Sequence, residues 1–221
     1  MTAFGGSVRP MTDTAAATSV HTTADRRPAL VAAYDHAAVV VAGVQPDQLS
    51  APTPCSEYDV AALVDHLVGA GHRAAALGRG DTLTDDEFPH VDLAAAPDQL
   101  RQAGRAAAAA WDDDRLTTDT TMPWGETYTG ARLVDMYLSE LVAHAWDLST
   151  ATGRTPDCDP ALADAALDAA RTMLRPEYRD MISVGNPFGA ERPAHASATP
   201  LERFAAFMGR PLDWQPPVRT P

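Results

Sequence analysis

Glu140 and His144 stand four residues apart within Tyr128–Gly153, YTGARLVDMYLSELVAHAWDLSTATG. At about 100° per residue, their directions on a helix differ by about 40°. Leu133, Met136, Tyr137, Leu148 and Ala151 share that face. A carboxylate and an imidazole therefore project from an apolar stripe, where burial is costly unless a partner compensates them. A divalent metal ion would compensate both at once, and so would a plain Glu–His hydrogen bond. One ExxxH pair does not choose between them.

The helix that must position this pair has its own punctuation. Thr129 is placed to cap its N-terminus, no proline interrupts it, and Gly153 sits where a terminating glycine belongs. Upstream, the stretch DVAALVDHLVGAGHRAAALG reads as a second helix, with Ala62, Leu63, His66, Leu67 and Ala70 on one stripe. Ser56 is expected as its N-cap, with Asp59 at the third position. His66 lies among apolar neighbours, whereas His72 is offset by about 120° and faces elsewhere. His66, Glu140 and His144 would together supply two imidazoles and one carboxylate from neighbouring helices of a bundle. Three protein ligands and one open position form the pattern of a catalytic zinc site, and the same donors suit nickel or ferrous iron. The order H…ExxxH is not HExxH, because here the glutamate would be a ligand rather than the spare base.

Other helices are expected over about Arg27–Val44, Pro97–Asp113, Pro160–Leu174 and Leu201–Met208. His36 falls off the stripe of the first and reads as a surface residue. The segment LTTDTTMPWGETYTG suggests a short β-hairpin or extended loop leading into the Glu140 helix. Its Trp124, like Tyr137, is a candidate wall for a substrate pocket. Residues 1–24 lack periodicity and read as a disordered tail. The domain organisation expected is therefore the tail, a metal-binding bundle over 25–155, and a C-terminal helix and extension over 156–221 packed on it.

Composition narrows the function classes. The chain has 221 residues and a formal net charge of −13, which disfavours nucleic acid and anionic membranes as partners. All 17 basic residues are arginine, so a lysine Schiff base and a Walker lysine are excluded. Cys55 and Cys158 form no disulfide framework and no paired-cysteine zinc motif. With no apolar run of membrane-spanning or signal-peptide length, a cytoplasmic monomer or homodimer is expected.

At these residues the chain resembles a known family. TPCSEYDVAALVDHLVG (Thr53–Gly69) is similar to the TPC-x-x-W/Y-x-V-x-x-L-x-x-HL segment of the DinB-like four-helix superfamily. ELVAHAWDLSTATG (Glu140–Gly153) resembles its E-x-x-x-H-x-W-D-L-x-x-x-x-G segment. Pro123–Gly125 and LERFAAFMGR are similar to the actinobacterial metal-binding branch that includes mycothiol-dependent maleylpyruvate isomerases. The resemblance covers roughly Arg27–Arg210. It implies an all-α, up-down-down-up four-helix bundle with a short C-terminal helical extension, and a divalent metal on His66, Glu140 and His144. It also implies thiol chemistry with mycothiol as co-substrate, an isomerisation or a thiol transfer on a small electrophilic metabolite. No catalytic arginine of that isomerase can be placed by motif, and Tyr58 stands where many relatives have tryptophan. Fold alone does not fix activity. A thiol-independent metal-dependent isomerase, lyase or hydrolase is the alternative, and a non-catalytic small-molecule-binding protein is a third.

Overall fold

The computed structural model describes residues 25–83, 90–123, 125–174, 179 and 189–216. The expected N-terminal tail and Trp124 lie outside them.

Most helices begin and end where the sequence supplies a stop. Helix α1 (Arg27–Ala42) carries a proline in its first turn and ends at Gly43. Helix α2 (Val60–Arg79) is capped by the Asp59 side chain, which accepts from the Ala62 amide, and ends on Gly80 at φ 87°. The cap expected at Ser56 is therefore corrected to Asp59. Ser56 lies instead in a turn closed by the Tyr58 amide donating to the Cys55 carbonyl, with Pro52 and Asp59 paired as an isolated β-bridge across it and the Thr53 hydroxyl donating to the Cys55 and Tyr58 carbonyls.

Helix α3 (Ala96–Ala110) stops short of the expected Asp113. Trp111 leaves helical geometry and buries its indole, only 2% exposed, while Asp112 caps a new short helix, α4 (Asp113–Thr117). The expected hairpin forms as β1 (Asp119–Thr121) and β2 (Thr127–Thr129), antiparallel, with Thr120 opposite Tyr128. Thr129 then caps α5 (Gly130–Ala151), its side chain accepting from the Arg132 amide, and Gly153 follows at φ 71°. Helix α6 (Pro160–Met173) and helix α7 (Pro200–Phe207) complete the described elements. The latter carries a full capping box, in which Thr199 and Glu202 satisfy each other's amides.

Helix α1 packs on α3 and α5, and α2 packs on the same two, so α1 and α2 lie across the bundle diagonal. The connection 43–59 gives the chain the reach for this crossing. This is the all-α, DinB-like four-helix bundle. Helix α6 covers the outer side of α5, and α7 covers α6. Helix α5 is consequently buried almost all round, without a break from Tyr137 to Ser149 except at Glu140. A helix enclosed on every side reads as apolar throughout rather than along one stripe. Each fully buried leucine on it contributes about 1.5–3 kcal/mol of burial.

Tyr34 sets the spacing of α1 against its partners. Its ring lies against Gly71 of α2 and Gly104 of α3, where a Cβ on Gly104 would stand 2.8 Å from Tyr34 Cβ. Its hydroxyl donates to the Gly71 carbonyl at 3.4 Å. No helix among the described residues is long and apolar enough to cross a membrane.

Candidate metal centre

Helices α2 and α5 meet with His66 facing Glu140, Nε2 to Oε1 at 2.7 Å. The His66 and His144 rings are 5.0 Å apart and nearly perpendicular, at 88°. Each of His66, Glu140 and His144 offers one donor atom such that all three atoms lie within 4.8 Å of one another. The side chains of His66 and Glu140 are 10% and 18% exposed, so the cluster is sheltered yet reached by solvent.

Two features of this cluster were not assigned a role from sequence. The first is Asp147, 0% exposed, which stands three residues after His144 and seven after Glu140 on the same helix face. Its Oδ2 lies 3.1 Å from His144 Nδ1. That spacing was the signal that could have found it. The second is Arg210, which donates to both Asp147 oxygens, Nε at 2.9 Å and Nη2 at 2.8 Å. No local pattern connects residues 63 apart in sequence. Tyr58 also has a place here: its ring stacks on His66 at 4.7 Å and 27°, and meets His144 edge-on at 6.2 Å.

The electrostatics follow from burial against charge. Burial alone would raise the Glu140 carboxyl, but the His66 hydrogen bond and the His66, His144 and Arg73 charges hold it below its ordinary value. Burial lowers His144, and the Asp147 bond only partly opposes it. Asp147 should likewise rise on burial, yet the Arg210 charge and the bonds from His144 and Arg210 keep it depressed. The cluster thus presents an ionised carboxylate beside imidazole nitrogen. Its donor set and separations fit a divalent ion at ligand distances of about 2.0–2.2 Å.

Tyr137 is buried in the core, 3% exposed, one turn before Glu140. His72 is exposed, and His36 is half-buried at a recess of about 480 Å³ with Arg154, Asp157 and Cys158, away from the cluster. Cys55 is 2% exposed, and its Sγ and donor atoms of His144 and Asp147 lie within 4.8 Å of one another. Burial and the Asp147 charge raise its thiol. The Tyr58–Cys55 loop also lines a surface hollow of about 290 Å³.

A DinB-like bundle carrying a His–Glu–His donor cluster between its second and last core helices defines the class of this protein. The chain belongs to the family described as the mycothiol maleylpyruvate isomerase N-terminal domain, which matches residues 30–149. Two uncharacterized proteins of Mycobacterium tuberculosis, one from strain CDC 1551 and one from strain H37Rv, are each 33% identical to it over 178 residues. That stretch is 80% of this chain and 93% of each relative. No solved structure matches the chain.

Proposed function

We propose that this protein is a divalent-metal-dependent enzyme that uses mycothiol, an isomerase or thiol transferase acting on a small electrophilic metabolite. The observation that carries this reading is the convergence of His66, Glu140 and His144 at a cluster that solvent still reaches. Zinc is the first choice of metal, with nickel or iron as alternatives. When bound, such an ion supplies Lewis acidity that lowers the pKa of a thiol or water held beside it.

The chain's own residues have distinct parts. Glu140 contributes the negative charge that offsets a cation, and the two imidazoles contribute neutral donors. Tyr58 covers one side of His66 and limits water there. Tyr137 and Trp124 remain the proposed pocket walls. The thiol would come from outside the chain. Burial keeps Cys55 protonated, and burial with the flanking carboxylates of Asp159 and Asp157 pushes Cys158 up to about 11.

Metal analysis of untagged protein, followed by turnover assays with and without mycothiol, tests the reading. Thiol-dependent turnover by the metal-loaded protein is expected. Turnover that needs metal but no thiol would replace it with a thiol-independent isomerase, lyase or hydrolase. A tightly bound small molecule without turnover would make the protein a binder. Stoichiometric absence of metal affinity would end the proposal.

A further inference from the structure

The donor cluster is not built by the bundle alone. Asp147 is fully buried beneath His144, and its second partner comes from beyond α7. Gly209, at φ 82°, turns the chain there, and a Cβ on it would stand 2.7 Å from Gly189. That turn delivers Arg210, 4% exposed, into the bundle, where its amide donates to the Ala205 carbonyl. The guanidinium then engages both Asp147 oxygens in a two-pronged pair. An Asp147 so engaged is an ionised acceptor, so the proton between it and His144 belongs to His144 Nδ1. The lone pair is left on Nε2, the nitrogen available to the cluster with His66 and Glu140.

We infer that Arg210 is a positioning residue for the metal centre: acting through Asp147, it locks His144 in the ligand-competent tautomer, so the third donor is set only when the C-terminal segment is docked. This rests on the metal-binding reading above. A carboxylate behind a metal-binding histidine fixes both ring orientation and tautomer, and its loss typically weakens metal binding about 10–100-fold. Here the carboxylate is itself held by a residue from outside the bundle.

The test compares the full-length wild type with R210M and R210K. Zinc affinity is measured by competition with a chromophoric chelator, and the His144 ring-nitrogen chemical shifts are read in the metal-free proteins. The wild type should show a single Nδ1–H tautomer. R210M should bind zinc about 10–100-fold more weakly and show mixed tautomers. R210K keeps the charge without the two-pronged geometry and should fall between. Equal zinc affinity and the same tautomer in R210M and wild type would overturn the inference and leave the metal reading standing. Failure of the wild type to bind zinc would overturn both. If R210M does not fold, R210K decides: weakened zinc binding with a disturbed tautomer supports the inference, and wild-type behaviour in both overturns it.

Discussion

Helix α5 carries two buried carboxylate clusters that differ in what surrounds them. At its N-terminal end Asp135, 2% exposed, is bonded by Arg26 at 3.1 Å and by the Thr172 hydroxyl at 3.0 Å. These partners tie together the start of α1, the N-terminal turns of α5 and the end of α6. Burial raises the Asp135 carboxyl in spite of Arg26. About one and a half turns further along, Glu140 is held below its ordinary value because imidazoles stand beside it. The first cluster is a staple whose partner is an arginine, a group that cannot coordinate a cation. The second faces two nitrogens that can. A buried acid on a bundle helix is therefore not a site by itself, and the chemistry of its neighbours decides.

Four variants would break or sharpen this contrast. The largest effect is expected at Asp147→Ala, which leaves Arg210 buried without its counter-charge. Unfolding in urea should show a loss of about 3–5 kcal/mol, and an unchanged midpoint would mean that Arg210 finds water. Glu140→Gln comes next, with zinc affinity falling about 100-fold, or about 2.7 kcal/mol, while the circular dichroism of the helices persists. Chelation should lower the melting temperature of the wild type but hardly move that of this variant; equal shifts would place the cation elsewhere. Asp135→Asn should cost about 1–3 kcal/mol of stability and leave zinc affinity untouched. A drop in zinc binding there would erase the distinction between staple and site. Smallest of all, His72→Ala on the exposed face of α2 should stay within about 0.5 kcal/mol of wild type, with zinc binding and turnover unaltered.

Much of the fold was legible because it is written locally. Glycines, prolines and Thr129 bound the helices near their expected ends, and the i, i+4 spacing put Glu140 and His144 on one face. The misses also have local causes. Ser56 has the chemistry of a cap, but it sits in the turn that the Pro52–Asp59 bridge closes, and the helix begins only after Asp59. The alanine-rich α3 has the propensity to continue, but burying the Trp111 indole ends it. Asp147 was visible in the motif and in its spacing to His144, yet spacing could not tell whether it faced water or the interior. Tyr58 was legible only as standing where many relatives have tryptophan, and the packed loop is what lays its ring on His66.

The sequence by itself determined the residue types, the helix that aligns Glu140 with His144, and the family to which the chain belongs. Periodicity fixes those, since neighbours along a helix are neighbours in space. The tertiary structure alone decided that α6 and α7 close over α5, that His66 crosses to Glu140, and that Arg210 reaches Asp147. Those pairings depend on how separate helices dock. Contacts between residues 74 or 63 apart are set by the whole core rather than by any stretch of chain.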